Sequence, residues 1–387
     1  MSQLYICHYS EIGLKGKNRI YFEKALAGNI KKAVKREFSD IVLKIENLNK
    51  RLVLRFDKDM DNERIYNALS TVFGLANFSA AISVEKDLQA ISAACVQLMK
   101  DQQGKTFAVK AKRSDKNFPY TSPEINQYVG AEIVKRYGNK VDLSHAQTKC
   151  HIELLADEVF VFLNKEQGPG GLPVGSSGKV LALLSGGFDS PVAAYYIMKR
   201  GAHCSFLHFH VYPHTRKESQ EKVKNLARIL NKFQYKSRIY MVPFADTQLA
   251  IAQHCPEKFR IILYRRMMMR IAKRLADQHN YKAVVTGESV GQVASQTLDN
   301  LRVIEEVIDY PVIRPLVGFD KNEIIEKARQ IDTYDISVLP HDDACTRFTP
   351  KHPVIYSRPE EVRFAEKDLD VDSLVERDLK NIEVIYL

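Results

Sequence analysis

The apolar and polar positions follow two different rhythms, which change near residue 167. Beyond it, short apolar runs at 180–184, 204–209, 239–242 and 283–286 predict buried strands. Between them, apolar positions recur with helical spacing over 191–200, 218–232 and 258–279. Strand and helix in regular alternation predict an α/β architecture, a doubly wound parallel sheet with ligands at the C-terminal strand ends. Before residue 167 the pattern is mixed. Residues 4–9 predict a strand, and Asn18 is expected to cap a helix buried through Phe22, Leu26, Ile30 and Ala33. Runs 42–45 and 52–56 flank Asn47-Leu48-Asn49-Lys50 as a hairpin. Helices are predicted at 61–70 and 87–100, a strand at 106–113, and a helix opened by Ser122 and Pro123 and closed by Gly138. Strands at 150–154 and 159–163 complete a second α+β unit.

Four glycines and two prolines within residues 168–175 exclude a helix or central strand there, so 167–178 is predicted to be a linker. The expected domains are thus 1–58, 59–166 and 179–387, in keeping with 387 residues being too many for one core of usual size. No run approaches the length of a membrane span, and Met1-Ser2-Gln3-Leu4-Tyr5 does not read as a signal peptide. Six cysteines scattered singly, with no Cys-x-x-Cys, argue against a disulfide framework or structural zinc; the expected compartment is the cytoplasm.

Net charge is +10, which favours a polyanionic partner. Residues 1–165 hold 26 Lys and Arg against 19 Asp and Glu, and residues 166–387 hold 31 against 28. Most of the excess lies in the front units. There Lys110, Lys112 and Arg113 end a strand, with both lysines on one face. Such residues protect an edge strand or contact phosphate. The charge asymmetry favours RNA.

Ser185-Gly186-Gly187-Phe188-Asp189-Ser190 carries the most chemistry. It joins a predicted strand to a predicted helix, where backbone N–H groups and the helix dipole converge on an anion. No Gly-Lys-Ser/Thr follows, so it is not a Walker A loop. The hexapeptide resembles the PP-loop of ATP pyrophosphatases, which cleave ATP between the α- and β-phosphates. At the next strand end stand Leu207-His208-Phe209-His210; this position in a doubly wound sheet usually holds adenine, and with no carboxylate or cysteine cluster near His208, His210 and His214 no metal site is expected. The helix over 258–279 should bury Ile261, Met268, Ile271 and Leu275 and leave most of its arginines solvated, with Arg265 the best candidate to reach phosphate. Thr286-Gly287-Glu288-Ser289 opens a second strand-to-helix turn, in which Gly287 permits close backbone approach and Ser295 and Gln296 are expected on the following helix. Cys345 lies in a polar stretch beside Arg347, which suits either a nucleophilic thiolate or an unreactive surface thiol.

Gly170-Gly171-Leu172-Pro173-Val174-Gly175, Leu183-Leu184 with the hexapeptide and Pro191, the 286–298 stretch and residues 345–350 together resemble the tRNA 4-thiouridine synthetases (tRNA uridine 4-sulfurtransferases), over nearly the whole chain. The resemblance implies a ferredoxin-like domain and a THUMP domain that bind tRNA, then a PP-loop domain of the adenine nucleotide alpha-hydrolase-like kind. It implies ATP contacts at Leu183, Leu184, Ser185, Gly186, Gly187, Ser190, His208, Phe209, Arg265, Gly287 and Gln296, with Asp189 and Cys345 catalytic. ATP and Mg²⁺ are the implied cofactors. Partners are tRNA and a cysteine desulfurase or other persulfide donor, with no membrane and with a homodimer left open. Many relatives carry a C-terminal rhodanese domain with a persulfide-accepting cysteine; this chain has no cysteine beyond Cys345.

The reaction implied is adenylation of the uridine 4-oxygen at tRNA position 8, then replacement of AMP by sulfur, with a further role in supplying sulfur to the thiamine thiazole. Alternatives are another PP-loop ligase or amidotransferase, or a tRNA-binding protein without catalysis. An RNA methyltransferase is disfavoured because no Gly-x-Gly cofactor loop is present.

Overall fold

A computed structural model of the chain describes residues 3–213, 217–340, 348 and 350–387. The chain forms two compact units, Met1–Pro173 and Val174–Leu387.

The first unit contains β1 (Leu4–His8), α1 (Arg19–Glu37), β2 (Leu43–Leu48), β3 (Arg51–Phe56), α2 (Asn62–Ser70), β4 (Asn77–Val84), α3 (Leu88–Met99), β5 (Phe107–Arg113), α4 (Ser122–Tyr137), β6 (Thr148–Leu154), β7 (Val159–Leu163) and β8 (Glu166–Gln167). Its sheet runs β2-β3-β1-β4-β7-β6-β5, with β8 on β4. The β2–β3 turn places Asn49 and Lys50 at φ 49° and 68°, the left-handed pair that a two-residue hairpin needs. β5 lies at the sheet edge and pairs in parallel with β6 alone among the strands.

Two predicted caps need correction. Asn18 precedes α1, but its side chain makes no capping bond. It ends a short 3₁₀ turn in near-helical geometry, whereas capping needs an extended residue. The buried face of α1 runs through Glu23, Leu26, Asn29, Ile30, Ala33 and Val34, and Phe22 is only half-buried. The cap of α4 is Thr121, one residue before Ser122. Thr121 is extended at ψ 162° and forms a reciprocal capping box with Glu124.

The second unit contains β9 (Lys179–Leu183), α5 (Asp189–Lys199), β10 (His203–His210), α6 (Lys217–Asn231), β11 (Arg238–Pro243), α7 (Ala245–His254), α8 (Arg260–His279), β12 (Val284–Val285), α9 (Leu298–Glu305), β13 (Val312–Ile313), α10 (Lys321–Gln330), α11 (Tyr334–Ser337), α12 (Pro359–Ala365), α13 (Val371–Lys380) and β14 (Glu383–Tyr386). The sheet order is β13-β12-β9-β10-β11-β14, parallel except for β14. Helices α5, α6 and α10 pack together, as do α7, α8, α9 and α13, the two layers of a doubly wound sheet. Order reverses around β9, so the crevice at its C-terminal end lies between β10 and β12.

Helix α8 supports this crevice, and its arginines depart from expectation. Arg266 is 2% exposed, bonded to Glu366, Glu306 and the Val303 carbonyl. Arg270 joins it on Glu366. Burial opposes ionisation of Glu366, but these two arginines hold its carboxyl below the usual range. A buried arginine survives inside a core only with such a complete set of acceptors.

Candidate functional site

Helix α5 begins at Asp189, two residues before the predicted start, so Asp189 and Ser190 belong to its first turn. Pro191 still falls where the backbone N–H would have no helical partner. The turn between β9 and α5 closes on itself: Ser185 N donates to Ser190 Oγ at 2.8 Å, and the two hydroxyls lie 3.1 Å apart. The Ser185 amide is therefore engaged within the fold. A Cβ added at Gly187 would meet only Ser185 Oγ, at 3.7 Å. The protein's own packing does not demand glycine there, which leaves room for a ligand to approach the backbone.

Gly287 is the opposite case. Its Cβ would stand 2.6 Å from Ser190 N and 2.7 Å from the Asp189 carbonyl carbon. The turn after β12 thus presses directly on the first turn of α5, the close approach expected of this glycine. Gly287→Ala is expected to push the two turns apart, costing about 1–3 kcal/mol of stability by overpacking. Calorimetric titration should show ATP affinity reduced by about tenfold or more, the equivalent of 1.4 kcal/mol. Wild-type affinity in a variant with a lowered melting temperature would separate the turn from ligand binding.

Around these turns lies a cavity of about 620 Å³, within the range of small-molecule sites. Leu183, Leu184, Ser185, Asp189, Ser190, His208, Phe209, Arg265, Gly287 and Gln296 all line it. Of the residues expected here, Gly186 and Gly187 are not on its wall. Ile261, Met268, Met269, Val293 and Pro353 add apolar lining. The His208 ring is fixed by a 2.9 Å contact between Nδ1 and the Leu184 carbonyl, which requires the proton on Nδ1. Ser295 and Gln296 do not lie on the following helix: they occupy a short 3₁₀ turn, Ala294–Gln296, just before α9. Thr297 is extended at ψ 154° and caps α9, so the helix cannot begin earlier. Gln296 Oε1 is buried and has no hydrogen-bond partner among the described residues.

Three residues of the site were not singled out from sequence. Lys321, the first residue of α10, places Nζ 2.7 Å from Asp189 Oδ1, and Gln292 Nε2 lies 3.0 Å from Asp189 Oδ2. The capping box of Asp320 and Glu323 is a readable helix start, but nothing local shows that the lysine inside it reaches a residue 132 positions away. Glu288 is 2% exposed, ion-paired with Arg265 and hydrogen-bonded to Arg314. Arg265 thus stands at the cavity wall already paired.

Other expected site residues lie elsewhere. Lys110 and Lys112 are exposed on edge strand β5 of the first unit. Arg113 donates to the Phe118 and Tyr120 carbonyls at 3.0 and 2.6 Å, so part of its guanidinium holds the following segment. Cys345 and His214 lie outside the described residues.

Comparison with known proteins bears on this arrangement. Residues 4–79 match the ThiI ferredoxin-like domain, residues 85–164 the THUMP domain, and residues 175–371 the family described as Thiamine biosynthesis protein (ThiI). A protein of Moorella thermoacetica named probable tRNA sulfurtransferase is 42% identical over 98% of this chain and 96% of its own length. One of Brevibacillus brevis, of the same name, is 40% identical over 98% and 95%. A crystal structure of a 4-thiouridine synthetase–RNA complex with bound ATP superposes with a TM-score of 0.91 at 37% identity, covering all of both chains. With the domain order, the crevice at β9 and these likenesses in agreement, the chain belongs to the ThiI family.

Proposed function

We propose that this protein is an ATP-dependent tRNA sulfurtransferase that converts uridine 8 of tRNA to 4-thiouridine. The carrying observation is the cavity in which the 185–190 turn, the Gly287 turn and the β10 end converge, with an orphaned buried Gln296 Oε1 in its wall. Its size, its apolar lining and its phosphate-type turn suit ATP.

The uridine 4-oxygen attacks the α-phosphorus, the bond from that phosphorus to the bridging oxygen breaks, and pyrophosphate leaves. The outer sulfur of a persulfide, supplied by a cysteine desulfurase or other donor, then attacks C4 and displaces AMP, and a second thiol cleaves the S–S bond so formed, leaving 4-thiouridine and a disulfide. Adenylation matters because AMP leaves readily where the bare oxygen does not. Lys321 and the backbone amides of the turn meet negative charge on the phosphates. Asp189 offers a carboxylate of the kind that takes a phosphate-bound Mg²⁺, and that cation would neutralise charge on the leaving pyrophosphate. The same sulfur chemistry would serve the thiamine thiazole, and the substrate makes the cytoplasm the expected compartment. No helix among the described residues is long and apolar enough to cross a membrane.

Nucleoside mass analysis tests this reading on tRNA incubated with the protein, ATP, Mg²⁺ and sulfide. The expected product is 4-thiouridine with AMP and pyrophosphate. Pyrophosphate release with a different modified nucleoside would indicate another ligase chemistry, and tRNA binding without ATP turnover a binding protein.

Residues 1–166 are proposed to hold the tRNA. Neutralising Lys110, Lys112 and Arg113 together in the full chain is expected to weaken binding and flatten its salt dependence, by about 0.7–0.9 for each phosphate no longer neutralised. Unchanged affinity and slope in a salt titration would leave the lysines as protection of the β5 edge.

A further inference from the structure

We propose that Glu288 is a positioning residue that fixes the Arg265 guanidinium against the polyphosphate of the bound nucleotide, an inference that rests on the nucleotide-binding reading above. Glu288 follows Gly287 in the turn that touches α5, and its carboxylate is 2% exposed. Oε1 lies 2.7 Å from Arg265 Nη1. Oε2 lies 2.6 Å from Arg314 Nε and accepts from Thr286 Oγ1 at 2.7 Å. Arg314 is held in turn by Glu305 on α9. Burial disfavours the charged form of Glu288, but Arg265 and Arg314 together keep its carboxyl below the ordinary range.

A carboxylate enclosed between two arginines is a poor way to gain stability, because desolvation consumes most of the attraction. Its value here is directional. Of the two arginines, Arg265 alone lines the cavity. Its Nη1 forms an ion pair with Glu288 Oε1 and donates to Ser295 Oγ at 3.2 Å. No described residue takes its Nε or Nη2. One arm of the fork is therefore clamped while the remaining donors stay available to the cavity, the arrangement that lets a planar guanidinium bind phosphate without first being ordered. The same clamp steadies Ser295 and hence the Ala294–Gln296 turn, whose Gln296 Oε1 is buried without a partner among the described residues.

The test is a double-mutant cycle of Glu288→Gln and Arg265→Ala in the full chain. Affinities for ATP and for adenosine are read by calorimetry, with thermal melts as a control for folding. Glu288→Gln removes the buried charge that pairs with Arg265, so it should weaken ATP about tenfold or more and leave adenosine nearly unchanged. In the Arg265→Ala background the same change should have no further effect. Should Glu288→Gln fail to fold, Thr286→Val, which removes the hydroxyl donated to Oε2, should weaken ATP severalfold and likewise lose its effect without Arg265. Additive losses across the cycle, or equal losses for ATP and adenosine, would overturn the proposal. Absence of ATP binding by the unaltered protein would instead overturn the nucleotide reading on which it stands.

Discussion

Asp189→Ala is expected to abolish release of AMP and pyrophosphate while tRNA binding persists. Asp189 sits at the first residue of α5, and its two carboxylate oxygens face Lys321 and Gln292 at 2.7 and 3.0 Å. Removing it releases the Lys321 ammonium, which lies over the Phe188 ring at the turn, and deletes the carboxylate proposed for a phosphate-bound cation. In the proposed mechanism two preorganised charges at the reacting phosphates are then lost or misplaced. Loss of one such group typically costs about a hundredfold or more in turnover. Asp189→Asn keeps the shape and one acceptor and should be nearly as inactive, which distinguishes charge from packing. Pyrophosphate release by Asp189→Ala near the unaltered rate would remove the PP-loop assignment altogether.

How much of this site was legible before folding depended on the range of the interaction involved. The 185–190 turn and Gly287 could be read because a strand end, small residues and a helix start adjoin in sequence. Their mutual contact follows once β12 and β9 are neighbours. Lys321 and Glu288 could not be weighed in the same way. A lysine inside a capping box and a glutamate after a glycine look like solvated surface until α10 and α8 are docked. Arg266 was misjudged for a related reason: helical periodicity treats every charge as outward, whereas Glu306 and Glu366 arrive from distant segments to receive it. β14 leaves no pattern of burial to read, because its residues are mostly exposed at the sheet edge beside β11. Helix caps erred by one residue or lacked the bond, because capping depends on ψ at one residue rather than on its identity.

Sulfur insertion should fail in Cys345→Ser when the donor is a persulfide, although ATP and tRNA still bind and AMP is still formed. Cys7, Cys95, Cys150, Cys204 and Cys255 are all buried. Burial pushes the Cys7 and Cys204 thiols far above their ordinary range and that of Cys255 up to about 11; Cys95 is raised by its hydrogen bond with Cys150 and by burial. Buried thiols of this kind neither meet a donor protein nor ionise to attack one. Cys345 is the remaining sixth, within the polar stretch Asp342-Asp343-Ala344-Cys345-Thr346-Arg347. In the proposed mechanism adenylation draws on the 185–190 turn and Lys321 rather than on this thiol, so the variant should separate the two half-reactions. Free sulfide needs no protein carrier and is expected to restore thiolation in Cys345→Ser. Nucleoside mass analysis with each donor reads both outcomes, and full thiolation from a cysteine desulfurase by the variant would exclude Cys345 from the sulfur route.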